Sequence, residues 1–175
     1  NGAVLSGNSL NLNLSADLNN SGTLAGRQVT RINADTVNNL GGRITGNQVE
    51  VTAKIDLNNI GGQISANNQL AIEAGRDIKL ASTTRSSSND QGSNTVLDRI
   101  AGLYVKGANG ILSAKAGNDI HLMAAQINNN GSNSQSQLLA GRDLLIRTVG
   151  TSSQNRVANN NGFWSESSRQ ENTTS

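Results

Sequence analysis

One short motif occurs three times near the start of the chain and indicates how the chain folds. It reads DLNNSGTLAG at residues 17–26, TVNNLGGRITG at residues 36–46 and DLNNIGGQISA at residues 56–66. Gly22, Gly42 and Gly62 are each 20 residues apart. A fixed period of about 20 residues is too short for a pair of helices and fits one coil of a parallel β-solenoid, in which each coil buries its apolar face against its neighbours.

The composition agrees with a thin, stacked core. The 175 residues are 34% hydrophobic and only 2% aromatic, which excludes a thick core of aromatic rings and leaves one built from Leu, Ile and Val. At this period the chain would make roughly eight coils. Its 19 Gly and 27 Asn residues tolerate the left-handed backbone that corners between short strands need. Asn side chains stacked in register can also form hydrogen-bonded ladders along the solenoid axis.

The strand before the Asn pair alternates apolar and polar residues in the first and third copies, as expected when one face is buried. We expect these apolar residues to point inward. They are Leu10, Leu12, Leu14, Ala16 and Leu18 in the first copy, and Val49, Val51, Ala53, Ile55 and Leu57 in the third.

The second copy breaks this alternation. Inward positions that follow Val29 would include Arg31, while Ile32 would face solvent. One extra residue near Thr30 would return Ile32 and Ala34 to the interior, so the sequence predicts a β-bulge or a slipped corner there. The alternative, a buried arginine, is disfavoured.

A second motif takes over after residue 69. It reads AGRDIKL at 74–80, AGNDIHL at 116–122 and AGRDLLI at 140–146, and we interpret its Asp as a corner cap that accepts hydrogen bonds from nearby backbone N–H groups. The spacings of 42 and 24 residues show that the array continues with insertions. The sequence therefore predicts one repeat segment, with regular coils at 1–81, a polar excursion at 82–95, further coils at 96–149 and a second polar excursion at 150–175.

Both excursions are predicted to leave the solenoid as loops or hairpins. Residues 82–94 contain no apolar side chain, and keeping them in a coil would bury polar groups without partners. Each excursion follows a strand of the second motif, in which Asp is followed by apolar residues, so both excursions should leave the solenoid at equivalent points of the repeat. The second contains Phe163 beside Trp164, which could form a binding site for a partner chain. Loose decoration that blunts lateral strand pairing is the alternative.

No catalytic, cofactor or metal site emerges from the residues, and we predict that the chain is not an enzyme. The single histidine, His121, falls on the outward face between two inward apolar residues. Asp77, Asp119 and Asp143 recur at one position, which could suggest calcium or paired catalytic carboxylates, but a calcium-binding repeat would show denser Asp. The chain lacks a phosphate-binding Gly-Lys-Ser/Thr motif and a Gly-x-Ser-x-Gly nucleophile elbow.

The charge and the cysteine content exclude further classes of function. A net charge of +2 without a basic run, with three aromatic residues, gives little support for nucleic-acid binding. With no cysteine the chain has no disulfide or thiol chemistry. No apolar run approaches the roughly 20 residues of a membrane-spanning helix. The chain starts in the middle of a repeat, and we expect it to be a fragment.

The motifs together resemble the hemagglutinin repeats of filamentous hemagglutinin-type exoproteins, which bacteria export by two-partner secretion. The resemblance rests on Asn-Asn-x-Gly-Gly-x-Ile, on Ala-Gly-Arg-Asp-Ile-x-Leu, and on STTRSSS at 82–88 leading to LDRIAGLYV at 97–105. It covers nearly the whole chain, and the second half is most similar to contact-dependent growth inhibition effectors.

That resemblance implies a right-handed parallel β-helix displayed as a fibre on the bacterial cell surface, serving adhesion or delivery of a C-terminal toxin. The implied partners are an outer-membrane transporter of the two-partner type, a target-cell receptor and neighbouring β-helix repeats. A carbohydrate-binding or carbohydrate-active β-helix is the alternative, although three aromatic residues offer few platforms for sugar rings. An ice-binding solenoid would need outward Thr-x-Thr ranks, which are missing.

Overall fold

The chain is all β in the computed structural model, which describes residues 2–158 and 164–173. Strands of the first four coils alternate between long and short, and later strands are short except in two hairpins. The strands are β1 (Val4–Asn13), β2 (Leu18–Asn20), β3 (Thr23–Ala34), β4 (Val37–Leu40), β5 (Arg43–Ala53), β6 (Leu57–Ile60), β7 (Gln63–Ala74), β8 (Ile78–Ala81), β9 (Thr83–Asn89), β10 (Gly92–Arg99), β11 (Gly102–Val105), β12 (Ile111–Ala116), β13 (Ile120–Met123), β14 (Gln126–Asn129), β15 (Gln135–Ala140), β16 (Leu144–Arg147), β17 (Val149–Ala158) and β18 (Trp164–Thr173).

Two parallel sheets form the solenoid and confirm the predicted fold. The long sheet stacks β1, β3, β5 and β7, followed by a level shared by β11 and β12 and a level shared by β14 and β15. The short sheet stacks β2, β4, β6, β8, β13 and β16. Each sheet therefore has six levels instead of the roughly eight expected from the length, because two hairpins take up residues that the estimate had placed in coils.

The core consists of columns in which one position of the repeat stacks on itself. Leu24, Ile44 and Ile64 are successive partners in the long sheet and are continued by Leu103. Ile44, Ile64 and Leu103 have no solvent exposure. In the short sheet, Val37, Leu57, Ile78 and Ile120 form another fully buried column. Ile44 and Ile64 thus share one inward stack with Leu24.

Three of the residues expected inside are instead exposed at corners. Leu14, Ala16 and Ile55 face solvent, and Ile55 is 43% exposed. The strands end at Asn13 and Ala53, and inward positions resume only at Leu18 and Leu57. The prediction for these three positions was wrong because strict alternation was carried through a corner, where the backbone turns and a side chain two residues on no longer returns to the same face.

The predicted irregularity before Thr30 is present. Gly26 pairs with Gly46 and Val29 pairs with Gln48, so β3 carries one more residue than β5 at this corner. Ile32 and Ala34 lie inside, while Arg31 lies outside and pairs with Glu50. Thr30 is also fully buried. Its hydroxyl accepts a hydrogen bond from the Gly26 N–H and donates to the Thr45 carbonyl, each at 2.7 Å, so no polar atom of its side chain is left unpaired.

The repeated Asn pairs form two ladders that run in opposite directions. Inside, Asn20 donates to Asn39, and Asn39 donates to Asn59, each at 2.7 Å. The outer ladder runs the other way through residues 58, 38 and 19, with distances of 2.9 and 3.0 Å. A Cβ at Gly42 would collide with the side chains of Asn20 and Asn39, which explains why the motif places Gly after the Asn pair.

Candidate interaction surface

The two polar excursions form hairpins that join into one antiparallel sheet beside the solenoid. The first hairpin consists of β9 and β10, and the second of β17 and β18. They meet where β10 pairs with β17, from Gly92 opposite Asn155 to Thr95 opposite Ser152. The strand order is therefore β9, β10, β17, β18. We call this four-stranded unit the projecting sheet.

Both hairpins leave the solenoid at the same corner of the repeat, as predicted. Successive levels of the short sheet pair Ile60, Ala81, Met123 and Arg147 with one another, so the residues that directly follow these four occupy equivalent positions. Those residues are Gly61, Ser82, Ala124 and Thr148. The coil between the two hairpins turns this corner at Ala124 with φ of 48°, and Gly61 does so with φ of 59°. A left-handed residue thus helps to close the corner in these two coils, whereas the chain leaves the solenoid at Ser82 and Thr148.

Buried hydrogen bonds hold the base of the first hairpin. The Ser82 hydroxyl accepts a hydrogen bond from the Ala101 N–H at 3.0 Å and donates to the Ala124 carbonyl at 2.6 Å. Arg99 reaches back two coils, where its Nη1 donates to the Gly41 carbonyl at 3.1 Å. The Ser82 hydrogen bond to Ala101 joins the point where the hairpin leaves to the point where it returns, and Arg99 ties the returning strand to an earlier coil.

The first hairpin extends further along the chain than the sequence suggested. β10 runs to Arg99, so Val96 and Leu97 belong to the hairpin, whereas we expected a coil strand to resume at Val96. Val96 is 38% exposed, as is Ile100 just beyond the strand. Apolar residues two apart can line one face of any strand, projecting or buried, so periodicity alone did not separate the two cases.

Ser, Thr, Asn and Gln dominate the projecting sheet. Most side chains of β9 are exposed, and the hydroxyls of Ser86 and Thr95 meet across β9 and β10 at 2.8 Å. Charges on the second hairpin pair within it: Arg156 lies 3.6 Å from Glu166, and Arg169 contacts Glu171. The surface therefore offers hydroxyl, amide and backbone groups, which suits recognition by hydrogen bonding.

The predicted partner-binding residues are not tested by the structure. Phe163 lies outside the described residues. Trp164 begins β18, where its backbone pairs with Ala158, but its side chain also lies outside the described part. A partner-binding role for Phe163 and Trp164 stays a prediction.

Two of the three recurring aspartates, Asp77 and Asp119, cap corners between coils, in agreement with the corner-capping interpretation. The Asp119 carboxylate accepts two hydrogen bonds from Arg142, at 2.9 and 2.6 Å, and one from the Asp143 N–H at 3.2 Å. The hydrogen bonds from Arg142 hold the pKa of Asp119 below its ordinary value, against the opposing effect of burial. Arg76 does the same for the pKa of Asp56 in an earlier coil.

His121 lies on the outer face, as predicted. It is flanked by the buried residues Ile120 and Leu122, its side chain is 30% exposed, and its Nε2 is 3.6 Å from the Asp119 Oδ2. Across residues 2–158 and 164–173, no group of three or more His, Cys, Asp or Glu side chains could hold a metal ion. The aspartates discussed above already bind Arg side chains and backbone N–H groups.

A shallow groove crosses the corner of the long sheet. Its polar lining comes chiefly from Asn8, Arg27, Thr45, Asn47 and Asn67. Carboxamides and hydroxyls of this kind can bind sugars, but the lining residues include neither a carboxylate nor an aromatic ring. A carbohydrate-active function stays a prediction without support from this groove.

The described part of the chain contains no helix long and apolar enough to span a bilayer. A sequence model of the hemagglutinin repeat matches residues 25–106. That range begins in β3 and ends just after β11, so it includes two of the three Asn pairs of the ladders and the whole first hairpin. No curated protein and no solved structure matches the chain. Residues 25–106, which form stacked coils of this β-solenoid and its first projecting hairpin, are therefore similar to the hemagglutinin repeat.

Proposed function

We propose that the chain is a structural segment of a secreted bacterial surface fibre of the filamentous hemagglutinin type. In this proposal the fibre projects from the outer membrane and serves adhesion between cells or contact-dependent delivery of a C-terminal toxin. The partners are an outer-membrane transporter of the two-partner type for export, neighbouring β-helix repeats along the fibre, and a receptor on the target cell.

The continuity of the core beneath the hairpins is the observation that carries this proposal. Ile64 pairs directly with Leu103 although 18 residues of chain leave and return between Ser82 and Ala101, and both core residues are fully buried. A solenoid that keeps its stacking past an insertion supports a rigid spacer, while the insertion supplies a surface. Irregular segments on a rigid scaffold are where recognition tends to reside.

The electrostatics of the outer surface fit the same role. Ion pairs link successive coils, as in Lys54 with Asp35 at 2.7 Å and Lys115 with Glu73 at 2.9 Å. Opposite charges on adjacent coils favour the native register. Such a surface suits a long, soluble fibre better than a binding cleft.

An accessibility experiment in the producing bacterium tests the location. A short epitope tag is inserted between Asn89 and Asp90, in the turn of the first hairpin, within the full-length parent protein. Antibody should label intact cells, and deleting the gene of the outer-membrane transporter should abolish the labelling. Labelling that appears only after lysis would refute a surface fibre.

Co-culture separates the two uses of the fibre. Removing residues 1–175 from the parent protein should reduce cell aggregates if the fibre serves adhesion. It should restore growth of a sensitive neighbouring strain if the fibre delivers a toxin. A parent protein that keeps both activities without this segment would contradict any role of the segment in either process.

A further inference from the structure

The projecting sheet has two unpaired edges within the described residues, β9 and β18. β9 pairs only with β10, and β18 pairs only with β17. Proteins usually protect such edges with charged side chains, Pro or bulges. β18 carries three charged residues, Glu166, Arg169 and Glu171, whereas β9 carries only Arg85 and no Pro or Lys. β9 is therefore the less protected edge.

The outward-facing N–H groups of β9 follow from the hydrogen bonds of its neighbour. The Arg156 N–H donates to the Gln91 carbonyl at 2.7 Å, so residue 91, and by alternation residues 93 and 95, direct their backbone groups towards β17. Residues 92, 94 and 96 then bond to β9 through Asn89, Ser87 and Arg85. The remaining N–H groups, those of Thr84, Ser86 and Ser88, point away from the sheet.

The sequence of β9 is complementary to itself in the antiparallel direction. When two copies pair about Ser86, Thr84 of each lies opposite Ser88 of the other, and these three positions carry the free N–H groups. Arg85 then lies opposite Ser87, so the two like charges do not face each other directly. Pairing of this kind already joins β10 to β17 within the chain.

Geometry selects a two-fold arrangement over simple translation. The two hairpins leave the solenoid two coils apart, which is about 9.6 Å along its axis, and each hairpin is two strands wide, which is also about 9.6 Å. The strands of the projecting sheet therefore stack along the solenoid axis. Joining β9 to β18 of a second copy by translation would shift that copy by about 19 Å along the axis. Because each solenoid is roughly 29 Å long, the two solenoids would then overlap. A two-fold axis perpendicular to the sheet instead places the solenoids at opposite ends of the paired strands.

We propose that β9 is a self-association edge that pairs with β9 of a second copy of this chain, antiparallel and about a two-fold axis. The two solenoids then run in opposite directions, separated by about the length of the seven-residue strand, roughly 24 Å. Isologous two-fold contacts are the commonest way in which identical chains associate. This inference is independent of the proposed function, because it requires only the edge and its register.

Sedimentation equilibrium of the 175-residue chain over a range of concentrations tests the proposal. The parent should show a monomer–dimer equilibrium, and Ser86→Pro should weaken the association by about tenfold or more because it removes the central free N–H. Ser86→Ala loses only the contact with Thr95 and should dimerise like the parent. Ser168→Pro blocks the free N–H in the other edge and should also leave the dimer unchanged. A parent that stays monomeric, or a dimer lost in Ser168→Pro and kept in Ser86→Pro, would overturn the proposal.

A spin-label measurement gives an answer even if the proline variant disturbs the hairpin. The chain has no cysteine, so Ser86→Cys provides a single site for a nitroxide. Two labels at the two-fold axis lie within direct strand contact, where Cα atoms are about 5.5 Å apart, and should broaden the spectrum strongly at dimer concentrations. A label at Ser168→Cys should show no such broadening. Broadening at position 168 without broadening at position 86 would contradict pairing through β9.

Discussion

Asn39 donates a hydrogen bond from its Nδ2 to the Oδ1 of Asn59 in the next coil at 2.7 Å, and neither residue has any solvent exposure. In the following coil the equivalent position is Leu80, and the column continues with Leu122. One interior column thus changes from amides to aliphatic side chains along the solenoid. Within the amide part every member depends on its neighbours, because a buried amide without a partner is strongly unfavourable.

Asn39→Ala should lower the free energy of unfolding by about 2–4 kcal/mol, because it leaves the Asn20 Nδ2 and the Asn59 Oδ1 without their partner. Guanidinium titration followed by circular dichroism measures the change. Asn38→Ala in the outer ladder is the matched control, and its partly exposed amide can bond to water, so the change should stay below about 1 kcal/mol. Equal effects of the two substitutions would mean that the inner ladder has no special role.

Ile44→Ala should destabilise the chain by about 2–5 kcal/mol, since it opens a cavity in a column that has no solvent exposure. Ile55→Ala is the control, because Ile55 is 43% exposed at a corner, and should change stability by less than about 1 kcal/mol. The same titration reports both values. A large effect at Ile55 would show that this corner is packed against other residues.

Acidification should destabilise the solenoid through its corner aspartates. The pKa values of Asp56 and Asp119 are lowered in the folded chain, chiefly by hydrogen bonds from Arg76 and Arg142. Their contribution is therefore complete above the unfolded pKa of about 3.9 and is lost as the pH falls through the lower folded values. Melting temperatures measured from pH 7 down to about pH 2 should fall in that acidic range.

Asp119→Asn should be less stable than the parent at pH 7 and should lose less stability on acidification, since it has no carboxylate to protonate. Asp90→Asn, in the exposed turn of the first hairpin, should keep the acid sensitivity of the parent. An unchanged pH profile in Asp119→Asn would show that this ion pair does not contribute to the acid transition.

Replacing residues 84–97 by a short Gly-Ser linker should leave the melting transition of the solenoid nearly unchanged. The excised part projects from the coil, and loop length contributes only weakly to stability. Ser82 and Arg99, which hold the base, are kept. Differential scanning calorimetry measures the transition, and a shift of more than about 8 °C would mean that the hairpin is part of the cooperative core.

Ser82→Ala should be more harmful than removal of the hairpin. It deletes one hydroxyl, and it leaves the Ala101 N–H and the Ala124 carbonyl without the partner that Ser82 supplies, at an expected loss of about 1–3 kcal/mol. Ser86→Ala, exposed on β9, is the control and should be neutral within about 0.5 kcal/mol. A neutral Ser82→Ala would indicate that water replaces the hydroxyl.

The solenoid could be predicted from the residues alone, because its main signals are local and repeat along the chain. The 20-residue spacing of Gly22, Gly42 and Gly62 gives the length of one coil. Stacking follows because a fixed repeat length places equivalent positions of successive coils next to each other. The Asn ladders and the irregularity at Thr30 could be predicted for the same reason. The departure of both hairpins also followed, because stretches with few or no apolar residues cannot fill the inward positions of a coil.

The way in which the two hairpins meet could not be predicted from the residues and depends on the three-dimensional fold. The contact of β10 with β17 joins residues about 60 positions apart, and neither strand contains a sequence motif that identifies the other as its pairing partner. It arises because Ser82 and Thr148 occupy the same corner two coils apart, and two strand spacings match two coil spacings. The exposure of Ile55 and the reach of Arg99 to Gly41 likewise depend on where the backbone turns in space, which residue patterns along the chain do not specify.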